Sequence, residues 1–257
     1  RIEMIKRLRF TDRKVFGDVD SIKNAIANGE IGGGGLTQEQ VENIVDGKMG
    51  SLVNPVTAGL TLSTPSGGIV EVGASTTPVL AWTIGNSSNA ASAKIVETTN
   101  SNATIANLTV AASGTYTFPS AITENQAKAH SYRLDVTDKL GRVIPSSVRT
   151  INWYFGVYFG NSTNASLNES QIKALTKRLQ ASMATSSSSD YYNFTGTGYK
   201  YICVPASFSV INLFNASTGF AFPLIEVGTV NVTVNGITTS YRVLRTENQI
   251  GAVTVRS

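Results

Sequence analysis

Tyr132-Arg133-Leu134-Asp135-Val136-Thr137-Asp138-Lys139-Leu140-Gly141 is the stretch whose reading decides the fold. Tyr132, Leu134 and Val136 alternate with Arg133, Asp135 and Thr137, the period-two pattern of a strand with one buried face, and Asp138–Gly141 supplies a turn. The same alternation, punctuated by turn residues, extends on both sides from Val56 to about Asn152. It predicts strands at Gly59–Ser63, Ile69–Val72, Pro78–Ile84, Ala93–Thr98, Ala103–Val110, Gly114–Phe118, Ser131–Thr137 and Val148–Trp153. Short, evenly spaced strands of this kind predict a β-sandwich, with Trp82 as its central core aromatic.

Downstream, residues 153–257 read as a second β-rich unit. Trp153–Gly160 is an aromatic strand entering directly from the first unit. Asn168 with Gln171 makes a capping box, and Leu167 with Ile172 a hydrophobic staple. Ile172, Leu175 and Leu179 then line one face of a helix near Glu169–Gln180. Thr185–Ser189 is a flexible polar loop. Strands follow at Tyr199–Val204, Phe208–Phe214, Gly228–Val234, Ile237–Arg245 and Ala252–Arg256, and Asn235-Gly236 predicts a hairpin, since both positions tolerate positive φ.

Upstream, residues 1–50 read as a docking arm. Ile2, Met4, Leu8 and Phe10 are interspersed with charged residues, Arg7 and Arg9 among them, in an extended segment that pairs with something else. Asp20 or Ser21 caps a short helix carrying Ile22, Ala25 and Ile26, ending at Gly29. Four glycines at 32–35 form a hinge. Thr37 and Gln40 then open a second capped helix that ends at Gly47. Its apolar stripe is Val41, Ile44 and Val45. About three turns are marginal alone, so the stripe packs either on a neighbour or on copies of itself.

The 257 residues include 21 Lys and Arg against 17 Asp and Glu, a net charge of +4. Six of those bases and two acids lie in residues 1–14, so the excess belongs to the arm and the rest is near neutral. A basic arm can bind phosphate or an acidic protein surface, and the chain lacks the spread of Lys and Arg that a dedicated DNA binder carries. Serine, threonine and asparagine make up roughly 30% of the chain and replace the charge of an average globular surface. In such a composition the sequons at Asn86, Asn102, Asn107, Asn161, Asn164, Asn168, Asn193, Asn215 and Asn231 arise by chance. Arg1–Phe10 holds no apolar core of a secretory signal, no apolar run is long enough to span a bilayer, and an opening arginine suits a trimmed chain or fragment.

One cysteine, Cys203, excludes an intrachain disulfide; with one histidine, His130, it excludes a structural zinc site of Cys and His ligands within one copy. His130 reads as a solvated loop residue at a strand start, and Cys203 as a buried small hydrophobe. The carboxylate pairs Asp135 with Asp138 and Glu97 with Glu124 are the nearest approach to a glycosidase arrangement. Asp138 is ordinary turn chemistry, and Asp135 alternates outward. Asp18 and Asp20 lack the further ligands of a calcium loop. These patterns predict no enzyme, no metal and no cofactor. Tyr191, Tyr192, Tyr199 and Tyr201, with Asn193 and Asn215 nearby, form the candidate glycan-binding patch, because a pyranose stacks its C–H face on an aromatic ring and its hydroxyls seek planar amides.

The strand and turn Tyr132–Gly141 resemble the penultimate strand of immunoglobulin-like repeats, such as fibronectin type III and the Ig-like modules of phage and bacterial surface proteins. Tyr199-Lys200-Tyr201-Ile202-Cys203-Val204-Pro205-Ala206-Ser207-Phe208, followed by a hairpin like Val230–Arg245, resembles a C-terminal module of bacteriophage tail-fibre, tail-appendage and baseplate-associated proteins. Leu36–Val45 looks like the short helices that head such fibre proteins. The likeness spans roughly residues 36–257, and its motifs are structural turns and core positions that carry no catalytic residue.

The expectation is a mainly β chain: a docking arm at 1–50, an Ig-like sandwich at 51–152 and a β-rich domain with one helix at 153–257. The resemblance implies a virion structural protein of the tail, baseplate or fibre attachment, present as a homo-oligomer and bound to other tail proteins. The docking residues are Ile2, Met4, Arg7, Leu8, Arg9, Phe10, Val41, Ile44 and Val45. No nucleic acid or membrane insertion is expected. The alternative is a tail-tip protein that contacts a host surface glycan through the four tyrosines.

Overall fold

A computed structural model describes residues 54–183, 191–209 and 213–256. The arm at 1–50 and the loop Thr185–Ser189 lie outside the described residues. The described chain is mainly β. Its first part runs β1 (Thr57–Thr64), β2 (Ile69–Glu71), β3 (Ser75–Thr76), β4 (Val79–Gly85), β5 (Ala90–Glu97), β6 (Ala103–Leu108), β7 (Ser113–Thr117), β8 (Ile122–Thr123), β9 (Lys128–Asp138), β10 (Val143–Pro145) and β11 (Arg149–Ser162).

Period-two alternation sorts these strands into two sheets that share one core. One sheet has the order β1-β4-β7, and in the other β6, β5, β9 and β11 are successive neighbours. Leu60, Leu80, Trp82 and Ile84 come from the first sheet; Ile95, Tyr132, Leu134, Val136, Ile151 and Trp153 come from the second and pack against them. Trp82 belongs to this core, as the sequence indicates. Trp153 is the more enclosed indole, with no exposed surface, and its Nε1 donates to Ala74 O at 3.1 Å.

β11 does not end at Trp153 but runs on for nine residues. β9 pairs with Arg149–Trp153 and β14 (Tyr199–Pro205) with Tyr158–Ser162, both antiparallel. β2 pairs in parallel with Asn152–Tyr154, and β12 (Thr176–Gln180) antiparallel with Phe155–Phe159. The overlapping registers place β2 opposite β9 and β12 opposite β14, so both edges of β11 are hydrogen-bonded along most of its length. Lys177 Nζ reaches both carboxylate oxygens of Glu71, at 3.0 and 2.8 Å, and fastens β12 beside β2.

The second part adds a helix, α1 (Glu169–Lys173), then β12, β13 (Tyr191–Phe194), β14, β15 (Phe214–Asn215), β16 (Ile225–Val234), β17 (Ile237–Arg245) and β18 (Val253–Arg256). The central sheet continues from β11 through β14 and β17 to β16. Both faces are buried at β14 and the part of β11 beside it. Val157, Phe159, Ile202, Val204 and Leu244 face a small sheet of order β13-β18-β15, which supplies Tyr192, Phe194 and Val255. Tyr158, Tyr201, Cys203, Tyr241 and Val243 face the other way, onto Leu167 and Ile172 at the start of α1.

The capping box is present: Asn168 Oδ1 accepts from Gln171 N at 3.0 Å, and Gln171 Oε1 from Asn168 N at 2.9 Å. The helix, expected to reach Gln180, stops at Lys173. The N–H and C=O groups of Phe155–Phe159 on the β12 side need partners, and Thr176–Gln180 supplies them as a strand. Of the strand expected at Phe208–Phe214, residues 210–212 lie outside the described residues, and Phe214 belongs to β15. Phe208 instead closes a turn, its N–H donating to Pro205 O at 2.9 Å. Asn235 and Gly236 have φ of 49° and 79°, the signature of a two-residue primed turn between β16 and β17.

Gly114 in β7 lies against the Trp82 ring with no room for a Cβ. Gly114→Ala is expected to cost about 1–3 kcal/mol of stability through overpacking, read as a lower midpoint in thermal or urea unfolding. An unchanged midpoint would show that the ring can move aside.

Candidate functional site

His130, Glu97 and Glu124 form one cluster of titratable side chains. β9 alternates inward at Tyr132, Leu134 and Val136, and continuing that face back by two residues brings in His130. His130 is therefore no solvated loop residue. It lies half-buried within the strand, its ring edge-on to Trp153 at 5.4 Å between centroids. Nδ1 meets Glu97 Oε1 at 2.6 Å, from the end of β5, and Nε2 meets Glu124 Oε1 at 2.7 Å, just after β8. Lys128 Nζ donates to the same Glu124 oxygen at 2.8 Å, and Thr99 Oγ1 to Glu97 Oε1 at 3.2 Å.

Glu97 and Glu124, one of the two carboxylate pairs of the sequence, thus bracket an imidazole. Burial pushes the Glu124 carboxyl up, but the hydrogen bonds and charges of Lys128 and His130 outweigh it and hold the group below its ordinary value. The same two glutamates, after burial, help drive the neighbouring Tyr132 hydroxyl upward, so it stays protonated. Both ring nitrogens of His130 and one carboxylate oxygen of each glutamate are engaged within the cluster. The arrangement ties the ends of β5 and β9 to the segment after β8, whose Glu124 carbonyl also accepts from Gly73 N at 2.7 Å.

The other pair is structural as well. Asp135, although on the outward face of β9, is buried at 7% exposure because Arg133 lies over it, with Nε–Oδ1 at 2.7 Å and a second nitrogen to Oδ2 at 3.0 Å. Asp138 Oδ1 accepts from the Leu140 and Arg142 N–H groups at 2.9 and 2.8 Å, and Oδ2 from Arg142 Nε at 2.7 Å. Burial opposes the charge on Asp138, and these donors lower its pKa despite that.

The four tyrosines do not converge. Tyr192 is 1% exposed, its hydroxyl 3.2 Å from Gln180 Oε1 and 3.4 Å from Met183 Sδ, and Tyr201 is fully buried, donating to Asn164 O at 2.7 Å. Neither has a ring face to offer a sugar. Tyr199 shares the Tyr201 face of β14 and has the Arg245 guanidinium over its ring at 4.1 Å. Only Tyr191 keeps an exposed side chain, at 38%, because alternation on β13 turns it outward while Tyr192 goes in. The docking residues Ile2, Met4, Arg7, Leu8, Arg9, Phe10, Val41, Ile44 and Val45 lie outside the described residues.

Two further groups are spent on the interior. Burial pushes the Cys203 thiol up to about 12, which keeps it an inert hydrophobe. Lys200, buried in β14, is the polar group that sequence reasoning missed; it donates from Nζ to Gly196 O at 2.7 Å, and burial lowers its pKa. Among the described residues no group of three or more His, Cys, Asp or Glu side chains is placed to hold a metal ion, and no helix is long and apolar enough to cross a membrane.

Because the folded Glu124 binds its proton less readily than the unfolded chain, the unfolded state takes up more protons as the pH falls through and below 4.5. Its contribution to stability is full above that value and is lost below it. Glu124→Gln is expected to flatten this acid limb in thermal melts taken from about pH 6 down to about pH 3. His130→Gln should cost about 2 kcal/mol near neutrality by removing a charge-assisted bridge. An acid limb identical in Glu124→Gln and the parent would refute the role given to the cluster.

Comparison with known family models, curated proteins and solved structures found no match to this chain.

Proposed function

We propose that this chain is a non-enzymatic structural component of a bacteriophage tail, at the baseplate, an appendage or a fibre attachment, anchored to other virion proteins through residues 1–50. In this reading residues 51–152 are an immunoglobulin-like sandwich. The pairing β1-β4-β7 against β6-β5-β9-β11, with β2 parallel to β11, supports it, and so does stability without a cysteine pair. Residues 153–257 are the C-terminal module, and several copies assemble around the tail.

The observation that carries the reading is β11. A single strand crosses from one β unit to the next with partners on both edges, so the two units are coupled without a linker. That is the property a load-bearing spacer needs. The motif behind the phage resemblance falls on the same assembly: Ile202, Val204 and Phe208 are core residues, and Pro205 starts the turn. The carboxylate pairs are engaged in holding strands, which fits a role without turnover. A second reading, contact with a host surface glycan, has the outward Tyr191 in its favour.

Gold-conjugated antibody against residues 54–256 is expected to decorate the tails of intact virions from the producing host. Labelled heads, or unlabelled particles with the chain free in the lysate, would overturn the assignment. The purified full chain should be oligomeric by light scattering, and replacing Val41 and Ile44 together with Asp should convert it to a monomer with an unchanged thermal midpoint. A parent chain that is already monomeric would remove the proposed role of the stripe.

A further inference from the structure

The small sheet that covers the central one has an outer face that nothing described covers. Register defines it. Tyr191 of β13 is directly opposite Arg256 of β18, and Phe214 of β15 is opposite Arg256 from the other side. Directly paired residues in an antiparallel ladder project from the same face. The adjacent rung, Tyr192 opposite Val255, is buried, so the row Tyr191–Arg256–Phe214 points outward. All three side chains are exposed, Tyr191 at 38% and Phe214 at 36%.

Neighbouring strands are about 4.8 Å apart, which puts the two rings roughly 10 Å from each other with the guanidinium between them. Arg256 has no acidic partner among the described residues. Further along the same face, Thr254 Oγ1 donates to Asn193 Oδ1 at 3.0 Å, which orients the Asn193 amide with its N–H groups left to donate.

We propose that this row is a binding platform for an acidic polysaccharide, a glycan bearing carboxylates on its sugar rings. Two aromatic faces separated by two strand spacings match the span of an extended disaccharide, whose C–H faces stack on the rings. The guanidinium of Arg256, on the strand between them and without a carboxylate partner among the described residues, takes a uronate or sialate carboxylate in a two-point contact. Asn193 serves the hydroxyls. A flat, open row suits a polymer that lies across it, and the single cation selects an acidic polymer over a neutral one. The proposal deepens the glycan-contact reading and does not depend on how residues 1–50 are anchored.

The test uses the purified full chain with oligogalacturonate, hyaluronan oligosaccharides and oligosialic acid as acidic probes, and maltoheptaose and cellohexaose as neutral controls, followed by calorimetry and by quenching of tyrosine emission. At least one acidic probe is expected to bind, with affinity falling as salt rises. Tyr191→Ala and Phe214→Ala should each abolish detectable binding, and Arg256→Gln should weaken it about tenfold and remove the salt dependence. Phe220, 77% exposed and turned away from the row by alternation with its neighbour Ala221, is the control, and Phe220→Ala should bind as the parent does. The substituted side chains are exposed, so an unchanged thermal midpoint establishes that each variant is folded.

Failure of every acidic probe to bind overturns the proposal. Equal binding of neutral and acidic probes overturns the role of Arg256, and equal loss in Phe220→Ala overturns the row as the site. Concentration-dependent self-association that is abolished by Tyr191→Ala would reassign the face to a second copy of the chain. None of these outcomes bears on tail labelling, so this proposal and the anchoring role fail separately.

Discussion

A β-strand has two edges that need hydrogen-bond partners and two faces that need cover, and in β11 nearly all of these are occupied by different parts of the chain. β9 and β2 take opposite edges of its first half, and β14 and β12 opposite edges of its second. Ile151 and Trp153 enter the first core, Val157 and Phe159 the second, and Tyr158 the third. A break anywhere in this strand leaves buried N–H and C=O groups unpaired, each at a cost of about 1–3 kcal/mol. The two units consequently share more than a covalent connection: the backbone that completes one sheet is the backbone that starts the next.

This demand on β11 explains where the sequence was legible and where it was not. Alternation is a property of one strand, and Tyr132–Val136, Val79–Ile84 and Ile237–Arg245 carry it in their own residues, so the sequence reveals them. The fate of Thr176–Gln180 is decided elsewhere. Ile172, Leu175 and Leu179 fit a helix as well as anything, and Asn168 caps one, yet the open edge at Phe155–Phe159 takes the later residues as a strand. A tertiary hydrogen-bond requirement outweighed a local preference worth tenths of a kcal/mol per residue. The two-residue strands β3, β8 and β15 are too short to express a period at all.

The candidate site divides along the same line. His130 was within reach of sequence reasoning, since the inward face of β9 extends to it from Tyr132 by a step of two. What hid it was the small polar neighbourhood of Ala129 and Ser131, which imitates a loop. The partners Glu97 and Glu124 were recognisable as a pair only in composition, because the pairing of β5 with β9 brings Glu97 opposite Tyr132, one side-chain step from the imidazole. For the tyrosines, the spacing itself was informative and was not used: Tyr191 and Tyr192 are adjacent and therefore project from opposite faces of any strand that holds them.

Charge placement gives the last step. Of the carboxylates that the fold brings close to a cation, Asp135 is paired within one strand, Asp138 within one turn, Glu71 across β2 and β12, Glu169 within α1, Glu226 across β16 and β17, and Glu97 and Glu124 around one imidazole. Each is committed to holding backbone segments in register, and the surface that remains is mostly hydroxyl and amide. On the outer face of the small sheet, Arg256, without an acidic partner among the described residues, stands between the two exposed rings of Tyr191 and Phe214. Two rings and a cation gathered on one outer sheet face are the surface feature that the proposed contact with an acidic glycan uses.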